Sequence, residues 1–122
     1  MQAMFTTDEM TEALRIVRDA MPPTPQYAWP LLEQRLGAKL WVKHENHTPL
    51  GAFKLRGGLV YFDGLKRREP KLRGVISATR GNHGQSVAFA ARRHGLCATI
   101  VVPHGNSLEK NASMRALGAG LI

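Results

Sequence analysis

The run GVISATRGNHGQSVAFAARRHGLCATIVVP, residues 74–103, decides the fold. Gly74-Val75-Ile76-Ser77 reads as a strand, Asn82 to His94 as a helix closed by Gly95, and Cys97 to Val102 as a second strand stopped by Pro103. A strand, a helix of this length and another strand make a βαβ unit, whose two strands lie parallel. The same alternation continues outward. Upstream, Lys39 to Lys43 reads as a strand and Ala52 to Leu65 as a helix with Leu55, Leu59 and Phe62 on one face. Downstream, Asn106 to Leu117 reads as a helix with Asn106 as cap, Glu109 three residues on and Gly118 just past its end; Gly120-Leu121-Ile122 starts a fourth strand. The expected class is therefore α/β, a parallel sheet with flanking helices, joined by right-handed crossovers. The sequence stops as the fourth strand begins, so the expectation is a truncated sheet whose natural polypeptide continues.

Nearer the start, Thr6 and Glu9 fit a capping box, and Met10, Ala13, Leu14, Val17 and Met21 share a helical face. Pro22-Pro23 ends that helix, a proline-rich loop follows through Pro25 and Pro30, and Leu31 to Leu36 forms a short helix before Gly37.

Hydrophobic residues make up 43% of the 122, enough to bury a core. No apolar run reaches the roughly 18 residues a membrane-spanning helix requires. Met1-Gln2-Ala3-Met4-Phe5 lacks the basic and apolar regions of a secretory leader, and the single cysteine, Cys97, excludes an internal disulfide. Cys97 falls in an apolar run and is expected in the core; together these features point to the cytoplasm, with no membrane partner. The net charge of +8 invites a nucleic-acid reading. Its densest basic stretch, Lys66 to Arg73, falls at the end of a helix, where cations complement the dipole. No zinc-finger spacing or aromatic interleaving accompanies it, so no nucleic-acid partner is expected.

Ligands of open parallel sheets bind outside the carboxyl ends of the strands. Two unusual stretches follow such ends, Lys43 to Lys54 and Ala78 to Gln85, and are expected at one rim. Lys54 stands in the first turn of its helix, against the positive end of the dipole. A Schiff base accounts for such a lysine, because its formation needs the neutral amine that this potential favours; an ordinary surface lysine is the alternative. Gly57-Gly58 costs about 1–2 kcal/mol of helix stability relative to alanine and implies a close approach. The second stretch, Ser77 to Ser86, turns through Gly81 into a helix whose first N–H groups suit a carboxylate or phosphate, unless Thr79 or Asn82 simply caps them. His83 orients a ligand or is structural. His44 and His47, with no cysteine partner, are a weak metal signal, and no metal is expected. The glycine-rich nucleotide motifs are absent.

Together the two stretches resemble the fold-type II pyridoxal-phosphate enzymes of the tryptophan synthase β-like fold, above all the threonine/serine dehydratases. The family's lysine motif, roughly Ser-Phe-Lys-x-Arg-Gly-Ala, stands here as Ala52-Phe53-Lys54-Leu55-Arg56-Gly57-Gly58. Its second motif, roughly Ser-x-Gly-Asn-His-x-Gln-Gly, stands as Thr79-Arg80-Gly81-Asn82-His83-Gly84-Gln85-Ser86. Thr24-Pro25, Lys43-x-Glu45, Val102-Pro103, Lys110 and Gly118-Ala119 also fit, so the likeness runs from about Thr24 to Ile122.

The resemblance implies pyridoxal 5'-phosphate as cofactor, linked to Lys54, which also shuttles protons at the substrate Cα. It implies Phe53 packed beside the cofactor, Asn82 bonded to the oxygen on its ring, and Thr79, Arg80, Gly81, Asn82 and His83 around the carboxylate of an amino-acid substrate. Threonine or serine would become a 2-keto acid and ammonia. Residues 1–122 would be the N-terminal part of a catalytic domain whose glycine-rich phosphate loop and C-terminal part lie elsewhere, and which forms a homo-oligomer at full length. Threonine synthase, cysteine synthase-like and racemase activities share the fold, and a non-catalytic remnant is the other class. Three departures from the motifs stand out. Ala52 replaces a serine, and Thr79 replaces another but keeps the hydroxyl. Arg80 stands where related serine racemases have a proton-carrying serine; an arginine stays protonated at ordinary pH, which disfavours racemisation. Arg80 would suit a second substrate carboxylate, as in a hydroxyaspartate.

Overall fold

A computed structural model describes residues 4–122; Met1, Gln2 and Ala3, on which the reading of the leader partly rests, lie outside the described residues. The elements are α1 (Thr7–Ala20), β1 (Gln26–Ala28), α2 (Pro30–Leu36), β2 (Trp41–Lys43), a 3-10 turn (Glu45–His47), α3 (Lys54–Arg68), β3 (Gly74–Ala78), α4 (Asn82–Arg93), β4 (Cys97–Val101), α5 (Leu108–Ala116) and β5 (Ala119–Leu121).

The expected α/β architecture is present, with one correction to its composition. The parallel sheet has three strands in the order β3-β4-β5. Gly74 stands opposite Cys97 and Ala78 opposite Val101, while Ala98 stands opposite Ala119 and Ile100 opposite Leu121. The strand expected at Lys39 to Lys43 does not join it. β2 instead pairs antiparallel with β1, Tyr27 opposite Val42, in a separate two-stranded ribbon. The supposed proline-rich loop contains that partner: between Pro25 and Pro30 the chain is extended, and the His44 N–H continues the pairing by donating to the Pro25 carbonyl over 2.9 Å.

α4 forms the centre of the main core. Its Val87, Ala88, Ala90 and Ala91 are buried with Phe62 of α3, Ala98 and Ile100 of β4, Met114 of α5 and Ala119 of β5. A second cluster joins Val17 of α1 and Met21, just past its end, to Leu55 and Leu59 of α3. The buried face of α1 is thus rotated from the expected one. Met10 and Leu14 are about half exposed, and Ile16 and Ala20 take the inward positions. Its start is as read: the Thr6 hydroxyl accepts from the Glu9 N–H, and the Glu9 carboxylate accepts from the Thr6 N–H.

Strand alternation corrects the expectation for Cys97. Ala98 and Ile100 point into the core, so Cys97 points to the other face of the sheet and is exposed. The cap of α5 is Ser107 rather than Asn106; its hydroxyl accepts from the Lys110 N–H. The Asn106 amide is committed elsewhere, donating to the Arg80 carbonyl at 3.1 Å and to Asn111 Oδ1 at 2.6 Å. α3 begins two residues later than expected and runs on into the basic stretch, ending at Arg68. Lys66, Arg67 and Arg68 occupy its last turn, and Arg67 pairs with Glu12 and Asp63. Among the described residues, no helix is long and apolar enough to cross a membrane.

Candidate active site

Lys54 is the first residue of α3. No side chain caps this helix end, and no acidic residue stands in its first turn. The approach to it is built locally. Gly51, at φ +64°, reverses the chain after Thr48-Pro49-Leu50. The Thr48 hydroxyl accepts from the Ala52 N–H and donates to the Ala52 carbonyl, at 3.0 and 2.9 Å.

The first turn is then held from two sides. On one side, Arg56 grips Glu45 with two bonds, Nε to Oε2 at 2.7 Å and Nη2 to Oε1 at 2.9 Å. Thr24 lies between them, donating its hydroxyl to Glu45 Oε1 at 2.5 Å and accepting from Arg56 Nη2 at 3.3 Å. Lys43 Nζ donates to the Thr24 carbonyl at 3.3 Å. The guanidinium of Arg56, aided by Thr24 and opposed by partial burial, pulls the Glu45 carboxyl from its ordinary 4.5 down to about 2. The residues noticed in the sequence as Thr24 and Lys43-x-Glu45 are thus one clamp, fastening the β1–β2 ribbon to α3. On the other side, Ser86 of α4 donates its hydroxyl to the Lys54 carbonyl at 2.9 Å.

α4 begins on Gly81, which offers no side-chain cap. Neither Thr79 nor Asn82 caps it: the Thr79 hydroxyl accepts only a long 3.5 Å contact from the Gly81 N–H, and Asn82 is itself the first helical residue. The capping alternative is therefore not realised, and the first N–H groups of α4 have no side-chain partner among the described residues. Glycines let this end of the helix pack closely. A Cβ on Gly81 would come within 2.9 Å of Lys110 Cδ. One on Gly84 would overlap Met114 Sδ and lie 2.8 Å from Thr79 Cγ2.

A cleft of about 440 Å³ opens between α3, α4 and β3, within the range of small-molecule sites. Lys54, Ser77, His83 and Ser86 supply its polar groups, and Tyr61 and Val75 are among its apolar lining. Of the residues expected in a site, Lys54 and His83 meet in this cleft. Thr79, Arg80, Gly81 and Asn82 form the adjoining turn rather than its lining, and Phe53 is exposed, its ring centroid 5.8 Å from Lys54 Nζ. Lys54 and His83 meet in the cleft although Lys43 to Lys54 follows a strand of the other sheet: α3 packs against α4. Sequence reading missed Tyr61, Ser77 and Ser86. Ser77 had a signal, its place near the carboxyl end of a parallel strand.

The two halves of Gly57-Gly58 differ. A Cβ on Gly58 would overlap the Ser86 hydroxyl, so the close approach is that of α4. A Cβ on Gly57 would meet nothing within 4 Å, and this residue leaves the cleft open. His44 and His47 belong to an aromatic cluster instead: Trp29 Nε1 donates to His44 Nε2 at 3.2 Å, and the two histidine rings lie 5.9 Å apart. Among the described residues no group of three or more metal-ligating side chains occurs.

Residues 17–122 match the family described as pyridoxal-phosphate dependent enzyme. The chain is 37% identical over 119 residues to the L-threonine ammonia-lyase of Thermotoga maritima, covering 98% of this chain and 29% of that enzyme. It is 33% identical to the L-threo-3-hydroxyaspartate ammonia-lyase of Saccharomyces cerevisiae, covering 96% of this chain and 36% of that enzyme. Among solved structures, a pyridoxal 5'-phosphate-dependent aspartate racemase superposes with a TM-score of 0.91 at 30% identity, over all of this chain and 38% of that one. The chain therefore spans about a third of the length of these relatives.

Proposed function

The chain belongs to the pyridoxal-phosphate-dependent enzyme family, and on that premise we propose that it is the lysine-bearing N-terminal part of a dehydratase, or ammonia-lyase, of hydroxy-amino acids. The observation that carries this reading is the meeting of Lys54 and His83 in one cleft beside the uncapped start of α4.

The residues fit the cofactor. Lys54 offers a primary amine for its aldehyde, and Gly57 leaves room where a side chain would intrude. Bound there, pyridoxal phosphate supplies an electron sink for charge left on the substrate Cα. The chain's own groups do the rest. Lys54 would hold the cofactor through its amine and, once free, would carry the proton at the substrate Cα. By the resemblance, Asn82, in the turn adjoining the cleft, would donate to the oxygen on the pyridine ring, and Phe53 would pack at its side. The backbone N–H groups from Arg80 to His83 would receive the substrate carboxylate, with the positive end of α4 behind them, while the Thr79 N–H is held by the Val101 carbonyl. The test is an absorbance band of lysine-bound cofactor, trapped by borohydride on Lys54 and absent in Lys54→Ala. Release of a keto acid from threonine, serine or 3-hydroxyaspartate then fixes the reaction. No band, or a band unaffected by the substitution, sinks the reading.

One observation favours a dicarboxylic substrate over threonine. Arg80 is exposed beside the carboxylate turn and has no acidic partner among the described residues, while its carbonyl is held by Asn106. A fixed backbone and a free guanidinium suit a second carboxylate. The same cation cannot act as a second proton carrier at ordinary pH, which disfavours racemisation.

A further inference from the structure

Ser86 is 2% exposed, in a helix face otherwise built of glycine, valine and alanine. A buried hydroxyl is costly unless bonded. A serine within a helix has an acceptor close by, the carbonyl four residues back. Ser86 instead reaches across to α3 and donates to the carbonyl of Lys54. By helical geometry that carbonyl also faces the N–H of Gly58. Gly58 and the Ser86 hydroxyl therefore converge on one acceptor, and a side chain on Gly58 would occupy the hydroxyl's place.

The family pattern has alanine where this chain has Gly58, and glycine where it has Ser86. The two departures are the two sides of one contact. In this chain the side chain of that contact stands on α4, and its hydroxyl ties the backbone of Lys54 to the helix that starts at Asn82.

We propose that Ser86 is a positioning residue for Lys54. By fixing the first turn of α3 against α4, it sets the direction from which the amine faces the Thr79–His83 turn. Gly58 is its permissive partner. The inference rests on Lys54 being the residue that holds the cofactor.

The test compares Ser86→Ala, Gly58→Ala and the double variant Gly58→Ala/Ser86→Gly with the native holoenzyme. The readouts are melting temperature, affinity for pyridoxal phosphate, and visible circular dichroism of the lysine-bound cofactor, which reports its orientation. Ser86→Ala should keep the melting temperature near the native one. It should weaken cofactor affinity about two- to tenfold, the weight of one hydrogen bond, and change the circular dichroism. Gly58→Ala should lower the melting temperature, and the double variant should recover it while keeping the affinity and dichroism of Ser86→Ala. Native affinity and dichroism in both Ser86→Ala and the double variant would reduce the exchange to packing and overturn the proposal. Lys54→Ala separates this from failure of the underlying reading: if the native band survives that substitution, the lysine assignment itself falls, and the positioning role with it.

Discussion

The Arg56 guanidinium embraces the Glu45 carboxylate with two bonds, at 2.7 and 2.9 Å, two residues beyond Lys54. The pair is neither fully exposed nor fully buried. Its weight therefore lies between that of a surface ion pair and the cost of stranding a buried charge. Because it joins the β1–β2 ribbon to the helix of Lys54, it couples the stability of an otherwise peripheral ribbon to the geometry of the site.

Glu45→Gln is expected to destabilise the fold by about 1–2 kcal/mol, with a defined pH dependence. The folded Glu45 carboxyl lies at about 2, below its ordinary 4.5. A depressed carboxyl stabilises the fold above its unfolded value, and this contribution fades as pH falls from about 4.5 toward 2. Melting curves from pH 7 to pH 2 should show a native-minus-variant difference that is constant above pH 5 and shrinks below 4.5. A difference that stays constant across that range would show that the pair does not carry it.

Gly57 and Gly84 should respond to alanine in opposite ways. Gly84 has Met114 Sδ and Thr79 Cγ2 where a Cβ would go, and Met114 is fully buried. Gly84→Ala should cost about 1–3 kcal/mol, as overpacking does. Gly57→Ala meets open space, so helix propensity should raise stability by about 0.5–1 kcal/mol. Its methyl group enters the cleft, and cofactor affinity should fall. Calorimetry and a pyridoxal phosphate titration measure both; equal stability effects at the two positions would contradict the contact geometry.

These contrasts mark where the sequence is readable. The βαβ run from Gly74 to Val101 was legible because its periodicity changes within a few residues from that of a strand to that of a helix. The capping box at Thr6 and the turn at Gly37 were legible because they depend on neighbours in the chain. β2 was misplaced because three extended residues carry no record of their partner, which lies on the far side of α2, in β1. Cys97 was misplaced because an apolar run has two faces, and only the packing of Ala98 and Ile100 against α4 shows which is inward. The site divides the same way. Lys54 and the Thr79–His83 turn stand out in sequence, whereas the Glu45–Arg56 clamp and the Gly58–Ser86 exchange exist only once α3 meets its neighbours.

The chain by itself should bind pyridoxal phosphate weakly and release little or no keto acid. The resemblance places the glycine-rich phosphate loop and the partner of the pyridine nitrogen outside these 122 residues. Without them the cofactor would have only Lys54 and the ring contacts proposed above. Equilibrium dialysis and a keto-acid assay on the purified chain test this; robust turnover would mean that a complete site is already present.

Arg80 offers the sharpest test of substrate class. Its carbonyl is fixed by Asn106, so replacing its side chain should leave the Thr79–His83 backbone in place. Binding of the common α-carboxylate should then be unchanged, and only a second carboxylate should lose a partner. A charge-assisted contact of about 1.5–3 kcal/mol corresponds to a tenfold to hundredfold loss in kcat/KM. In the complete enzyme, Arg80→Ala should impose that loss on 3-hydroxyaspartate and spare serine and threonine, while Arg80→Lys should restore part of it, since the charge returns without the planar fork. An equal loss on all three substrates would assign Arg80 to the shared carboxylate. No loss on any of them would leave the guanidinium as a solvated surface charge.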